Sequence, residues 1–337
     1  MSLVYREEDG DLNHLNDKVV GVIGYGNLGR ALALNLRDSG VRVVVAERDT
    51  DRGVQAQDEG FALMDLPQLM QEASILMLLL PDEVMAQVYL EQISPNLKRD
   101  DMLVFASAYN VAFGYIEAPP FVDVGLIAPR TLGIAVRERY EAGEGFFSFL
   151  SVGQDATGRA WPTLLALAKA VGTLRAGGIE IVFERETELD LFIQQAIMPI
   201  FHHMILTAAQ ILIEQGYPPE AAFTDLYLSG EFQDYLRYAG QSGLLPALRL
   251  ASLTSQYGTF SRMERFEDLK MQRLMEVTLR EIREGVFAKE WAKEYADGYH
   301  RLRKLLKHHE SHELWEWEQQ ALDMLHPFRD DNNGFDL

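Results

Sequence analysis

A doubly wound parallel α/β sheet followed by an all-helical domain is the fold the sequence predicts, and three observations predict it. Across the first half, short β-branched runs alternate with helical stretches, the rhythm that crossover connections impose on a parallel sheet. From about Phe183 those runs vanish and apolar residues recur at helical spacing, which marks a second, helical domain. The chain's 337 residues also exceed what one hydrophobic core usually spans. The expected division is residues 1–182 for the sheet domain and 183–328 for the helical one. The polar segment 329–337 is expected to be a disordered tail.

The elements follow in order. Val19–Gly24 is an apolar run of strand length, and helical periodicity runs from about Leu28 to Ser39. Val41–Ala46 reads as a second strand. Ser74–Leu80 reads as a third, closed by Pro81, which cannot donate to a ladder. Met102–Ala106 and Val122–Ala128 are two more. Such runs, apolar on both faces, suit strands covered by helices on both sides. In the second half, Leu189–Gln215, Pro219–Tyr238, Phe266–Lys289 and Trp291–Lys307 are the expected helices.

The bulk composition narrows the function classes. With 47% apolar and 24% charged residues, the chain has the make-up of a packed soluble protein. It has no cysteine, so neither disulfides nor thiolate metal sites are available. The 31 basic and 51 acidic residues leave a formal charge of −20. Such a surface repels phosphate backbones and anionic lipid, so neither nucleic acid nor membrane is an expected partner. The first residues carry no apolar signal-like core, and uninterrupted apolar runs fall well short of the ~18 residues of a membrane span. A soluble, cytoplasmic protein is expected.

Between the first strand and the first helix stands Gly24-Tyr25-Gly26-Asn27-Leu28-Gly29, a G-x-G-x-x-G. Gly24 permits the tight turn, Gly26 lets the backbone approach a pyrophosphate, and Gly29 lets helix pack on strand. The helix N-terminus then offers free N–H groups and a positive dipole end to the phosphates. Glu47 stands 18 residues past Gly29 at the end of the second strand, where a carboxylate takes up the ribose hydroxyls. This is the Rossmann arrangement for a nicotinamide dinucleotide. In the following loop, Glu47, Asp49 and Asp51 would repel a 2′-phosphate while Arg48 and Arg52 would attract one. The balance favours NAD, with NADP as the alternative.

Further phrases carry a resemblance to one family. Val22–Gly26 with Ala31–Gly40, Leu80-Pro81-Asp82-Glu83, Ile93–Lys98 and Ala128-Pro129-Arg130 resemble ketol-acid reductoisomerases. So do Gln154–Gly158, Glu186–Phe192 and Phe287–Trp291, in order along nearly the whole chain. The resemblance implies a Rossmann domain followed by a knotted helical domain, with the active site completed by a second subunit. A homodimer or larger homo-oligomer is therefore expected. It implies Mg²⁺-dependent alkyl migration coupled to hydride reduction of 2-acetolactate-type substrates. Cofactor contacts carry over onto Tyr25, Gly26, Asn27, Leu28, Arg48, Pro81, Asp82, Glu83, Met85 and Gly133. Where NADP-using members have serines in the phosphate loop, this chain has Asp51 and Gly53.

The metal chemistry departs from the family. Two Mg²⁺ ions need several carboxylates, because hard divalent cations take charged oxygen ligands. On the first metal helix Asp190 matches the family's aspartate, but its partner one turn on is Gln194. The second helical pair falls at Thr224 and Leu228, and leucine cannot ligate a metal. Asp225 rescues one ligand only if the helix shifts by a residue, which brings Ser229 to the other position. The family's lysine falls at Arg130 and its histidine at Ser107. No metal ligands are assigned, and Mg²⁺ is not expected. Arg130 is a candidate for a substrate carboxylate, with Ser107, Tyr109, Asp190 and Gln194 supplying hydrogen bonds and a proton path. His202 and His203 read as helix packing. His308 and His312 have i, i+4 spacing but not the order of a metal helix. Trp315 and Trp317 read as packing or subunit contacts.

The expected function is an NAD(P)-dependent oxidoreductase that reduces a small carbonyl or imine, or oxidises a hydroxy acid, without the isomerisation. A true ketol-acid reductoisomerase of branched-chain amino acid synthesis and a dinucleotide-binding pseudoenzyme or sensor are the alternatives.

Overall fold

The computed structural model describes residues 3–266 and 270–325, so the tail expected at 329–337 lies outside the described residues. The chain forms two compact units, Met1–Asp190 and Leu191–Leu337.

The first unit is built on nine strands: β1 (Val4–Tyr5), β2 (Val19–Ile23), β3 (Arg42–Ala46), β4 (Ala62–Leu63), β5 (Ile75–Leu78), β6 (Met102–Phe105), β7 (Asp123–Pro129), β8 (Ser148–Gln154) and β9 (Gly178–Glu180). They lie in the order β1-β9-β8-β7-β6-β5-β2-β3-β4. From β2 the chain moves outward through β3 and β4, then returns to the other side of β2 with β5. That reversal opens a crevice at the carboxyl ends of β2 and β5, where α/β sheets bind ligands.

The five strands read from the sequence form the parallel centre of this sheet. The periphery differs from the all-parallel expectation, since β7 pairs antiparallel with β8, and β1 with β9. Both exceptions involve strands without an apolar run: β8 (Ser-Phe-Leu-Ser-Val-Gly-Gln) mixes polar and apolar residues, and β1 has two residues.

Helices cover both faces. Helix α1 (Asn27–Asp38) buries Leu32 and Leu36, which pack with Val20 and Val22 of β2. Four helices follow on the way to the middle of the unit: α2 (Thr50–Asp58), α3 (Leu66–Glu72), α4 (Asp82–Val88) and α5 (Tyr109–Ala112). They are succeeded by α6 (Gly133–Glu141), α7 (Ala160–Val171) and α8 (Thr173–Ala176). Helix α7 adds Leu164, Leu167 and Val171 to the first layer, and Leu69 of α3 and Met85 of α4 join Leu76, Leu78 and Phe105 in the second. Each such fully buried side chain contributes about 1.5–3 kcal/mol, so the sheet that positions the crevice is rigid.

Beyond β9 the described residues are helical. Helix α9 (Phe183–Phe192), a π-helical turn (Ile193–Ile197) and α10 (Met198–Glu214) run on continuously. The stretch Phe183–Glu214 is 32 residues long with mean hydropathy 1.7, enough in length and composition to cross a membrane. The sequence reading missed this because uncharged polar residues (Gln194, Gln195, His202, His203) interrupt the apolar runs without lowering the average much. Only 11% of its most apolar window is buried, and Ile193, Met198, Met204 and Ile211 are exposed.

In the second unit α11 (Pro219–Phe223) continues into another π-helical turn, Thr224–Leu228. Ala209, Phe223 and Ala321 form a small core there, with Leu228 and Trp317 packed against it.

Candidate active site

The glycine turn is built as the sequence predicts. Gly24 has φ 100°, and a Cβ there would sit 2.6 Å from the Leu79 carbonyl oxygen. A Cβ on Gly29 would sit 2.0 Å from the Gly24 carbonyl oxygen, so glycine alone allows α1 to start this close to β2. Gly26 differs: the nearest atom to its missing Cβ is Arg52 Nη1 at 3.8 Å. That side is open, as a backbone meant to approach a pyrophosphate must be. No side chain caps the N-terminus of α1, so its first amides remain available to an anion. A cleft of about 370 Å³ runs from Gly26 and Asn27, past Glu47 and Arg52, to Pro81, Asp82, Met85 and Ser107.

Glu47 holds the edge of this cleft. Its Oε2 accepts the Tyr25 N–H at 2.6 Å, and its Oε1 accepts the N–H groups of Arg48 at 2.7 Å and Asp49 at 2.9 Å. The carboxylate thus ties the glycine turn to the loop after β3, and its remaining lone pairs suit ribose hydroxyls. Tyr25 contributes only backbone to this edge. Its ring is buried edge-on against Phe61, and its hydroxyl donates to Glu59 at 2.5 Å. The same Glu59 is ion-paired with Arg30. Arg48 and Asp51 are exposed and away from the cleft lining, where Arg52 is the cation instead. Gly133 is a packing glycine, since a Cβ there would lie 2.9 Å from Asn27 C and Leu28 N. It sets α6 against the start of α1.

At the other end of the cleft, side chains from β7, α4, α5 and α9 converge. Arg130 follows β7 and stacks over the Phe149 ring, 5.0 Å from its centroid. Its Nη1 donates to Asp190 Oδ1 at 3.1 Å, and its Nη2 is paired with Glu186 Oε1 at 3.3 Å. Glu186 and Asp190 stand one turn apart on one face of α9. The second Glu186 oxygen accepts the Ala108 N–H at 3.0 Å. Burial lifts the Glu186 carboxyl to about 7 despite Arg130, with Asp190 and Asp82 adding to the rise. Burial likewise lifts Asp82 to about 6, assisted by Glu83 and Asp190 and opposed by hydrogen bonds from Ser107 and Asn110. Asn110 Nδ2 donates to the Asp82 backbone oxygen at 3.0 Å. The Tyr109 hydroxyl is buried without a hydrogen-bond partner among the described residues, and its pKa is pushed up by that burial.

The structure therefore brings Ser107, Asp82, Arg130 and Asp190 together, and adds Glu186, to which the sequence reading gave no role. The signal was present: Glu186 precedes Asp190 by four residues, which places both carboxylates on one helical face. Arg130 is also more engaged than expected. Three of its five N–H groups face Asp190, Glu186 and the Pro129 carbonyl, which leaves two for a substrate oxygen.

The donors do not fit a pair of hard divalent ions. On α9 the two carboxylates already face a guanidinium, and Gln194 is a neutral amide in the π-helical turn that follows. In the second unit Leu228 packs on the Phe223 cluster, Thr224 offers only a hydroxyl, and Asp225 is exposed. The π-helical turn Thr224–Leu228 inserts a residue, yet it leaves Leu228 on the apolar side. Among the described residues no group of three or more His, Cys, Asp or Glu is arranged around a metal position. His308 and His312 meet edge to face at 5.0 Å, and His202 meets His309 at 6.2 Å.

Comparison with known proteins agrees with the architecture. Residues 14–177 match the family model of the acetohydroxy acid isomeroreductase NADPH-binding domain, and residues 183–326 that of the ketol-acid reductoisomerase C-terminal domain. A ketol-acid reductoisomerase (NADP(+)) of Methanopyrus kandleri is 39% identical over 93% of this chain and 95% of its own. That of Kocuria rhizophila is 36% identical over 96% and 98%. The solved structure of an NADH-preferring ketol-acid reductoisomerase from an uncultured archean superposes with TM-score 0.90 at 29% identity, covering 96% of this chain and 99% of that one. A semialdehyde dehydrogenase NAD-binding protein from Cupriavidus necator, 18% identical with TM-score 0.60 over 79% of this chain and 99% of its own, shares the fold alone. The chain belongs to the ketol-acid reductoisomerase family.

Proposed function

We propose that this family member is an NAD(P)-dependent oxidoreductase that reduces a small, carboxylate-bearing carbonyl or imine compound without the Mg²⁺-dependent migration. The observation that carries this reading is the Arg130 guanidinium set between Glu186 and Asp190, on the helix that supplies metal ligands in the family. The Gly24–Gly29 turn and the free amides of α1 hold the pyrophosphate, and Glu47 accepts from the ribose. A bound nicotinamide dinucleotide supplies the hydride. The two remaining Arg130 N–H groups orient and polarise a substrate oxygen. Glu186, lifted to about 7 by burial, holds a proton near that oxygen at neutral pH.

Glu47 on the cleft edge and the carboxylates Asp49 and Asp51 of the loop that follows it support NAD as the preferred cofactor, as does the likeness to the NADH-preferring enzyme. The NADP(+) designation of the curated relatives keeps NADPH in the test. The exposed apolar residues of α10 support a homo-oligomer.

A second reading, the complete ketol-acid reductoisomerase reaction, is favoured by the 36–39% identity to enzymes of that name over more than nine-tenths of the chain. One experiment separates them. NADH, NADPH and Mg²⁺ are titrated calorimetrically, and 2-acetolactate turnover is followed with and without the metal. Dinucleotide binding without Mg²⁺ uptake, together with metal-independent reduction of a member of a 2-oxo acid and imine panel, supports the first reading. Mg²⁺-dependent consumption of 2-acetolactate establishes the second. Binding of dinucleotide with no turnover on any substrate overturns both.

A further inference from the structure

The Arg130 side chain is held from four directions. Its Nε donates to the Pro129 carbonyl at 3.2 Å, its plane lies 5.0 Å over the Phe149 ring, and its two terminal nitrogens meet Asp190 and Glu186 at 3.1 and 3.3 Å. The Glu186 side chain is 1% exposed and that of Arg130 27%. A cation beside such a carboxylate favours its ionised form and offsets part of the cost of burying it. A compact ammonium reaches one carboxylate well, whereas a planar fork spans two that are one helical turn apart.

We infer that Arg130 is a built-in counter-cation for the Glu186–Asp190 pair, its planar fork meeting both carboxylates at once so that no divalent ion is needed to balance them. The two carboxylates on this helix are therefore already ion-paired with one guanidinium, and a divalent ion finds missing ligands around Asp190. A divalent ion drawn to Asp190 would have to displace its ion pair with Arg130 for the affinity of one carboxylate and one amide. This inference rests on the same donor set as the proposed function, but it is read by melting curves and not by turnover. A chain that failed to reduce any substrate would sink that function and leave these curves unaffected.

The test uses the full chain at neutral pH, melted with and without millimolar Mg²⁺ or Mn²⁺. The wild-type melting temperature should not respond to either ion. Arg130→Met leaves a buried carboxylate unpaired and should lower it by on the order of 10 °C, with part of that loss recovered by Mn²⁺. Arg130→Lys keeps the charge and should lose less. Arg130→Met combined with Glu186→Gln and Asp190→Asn removes both sides of the interaction and should melt well above the single variant. That combination carries the test if Arg130→Met does not fold. The inference is overturned if Arg130→Met melts with the wild type, or if the triple variant is no better than the single one. It is equally overturned if Mg²⁺ stabilises the wild type and Asp190→Asn abolishes the effect.

Discussion

Replacement of Glu47 by glutamine isolates how the dinucleotide edge is held. The wild-type carboxylate accepts three backbone N–H groups, from Tyr25 at 2.6 Å, Arg48 at 2.7 Å and Asp49 at 2.9 Å. Hydrogen bonds to a charged acceptor contribute about 1.5–3 kcal/mol each, and neutral ones about 1 kcal/mol. Glutamine has one acceptor oxygen. It can keep the Arg48 and Asp49 bonds only by turning its NH₂ toward the Tyr25 N–H, donor against donor. One bond is lost and two lose their charge assistance, a sum of roughly 2–3 kcal/mol for this partly solvated site. The same residue is the proposed ribose ligand, and there losing a charged acceptor would weaken binding by roughly 10- to 100-fold. Urea unfolding and calorimetric NADH titration of Glu47→Gln measure the two effects on one sample. An unchanged urea midpoint with wild-type NADH affinity would refute both the structural and the ligand role. An altered midpoint with unchanged affinity would remove Glu47 from the ribose site and leave it as a turn brace.

Three further outcomes are expected. Gly29→Ala places a methyl group 2.0 Å from the Gly24 carbonyl oxygen, so α1 must retreat; NADH binding should fall below detection by fluorescence titration, and near-wild-type affinity would contradict the assigned turn. Asp51→Ser removes a negative charge from the 2′-phosphate loop and should improve NADPH relative to NADH by about tenfold at low salt, with an unmoved ratio by calorimetry excluding the residue from selection. The third concerns pH. The Glu186 carboxyl titrates at about 7 when folded, against the usual value near 4.3 when unfolded. The folded chain therefore binds the extra proton, and stability falls as pH rises through about 4 to 7, by roughly 4 kcal/mol from this group. Glu186→Gln should flatten the dependence of melting temperature on pH across that window, and an unchanged slope would refute the assignment.

Much of the first unit was legible because its signals are local. Val19–Ile23, Arg42–Ala46 and Ile75–Leu78 are apolar on both faces, and the glycine turn encodes its own geometry at Gly24 and Gly29. The peripheral strands were not legible: β1 and β4 are two residues each, too short for a periodic signal, and β1 pairs with β9 at the far end of the unit's sequence. Site residues divide the same way. Glu47 follows from its place after a strand. Gly133 was assigned to the cofactor by resemblance, yet its glycine is demanded by Asn27 and Leu28, a contact between helices that no local pattern records. Arg130 was recognised as a substitution, but its engagement with Glu186 and Asp190 depends on β7 and α9 meeting 60 residues apart.

The two halves of the family's site can change independently because they are held by different physics. The dinucleotide half is made of backbone: a positive-φ glycine, a helix N-terminus and amides braced by Glu47, all seated on the central strands. Erosion there would disturb the fold, since Gly24 and Gly29 are also what lets α1 pack on β2. The metal half is made of side-chain charge on helices, and its removal requires only that the remaining carboxylates be compensated. On the proposed reading, Arg130 supplies a cation wide enough for two of them, and Leu228 is core packing at a position the resemblance gives to a ligand. What is left is a site with Asp82, Glu186 and Asp190 around one guanidinium, more acidic than its cation can balance. Burial eases that excess by raising Glu186 to about 7 and Asp82 to about 6, which leaves Glu186 partly protonated near neutral pH. Reduction of a carbonyl consumes one proton along with the hydride, so in the proposed reaction the same excess of acid that raises Glu186 would keep a proton at hand.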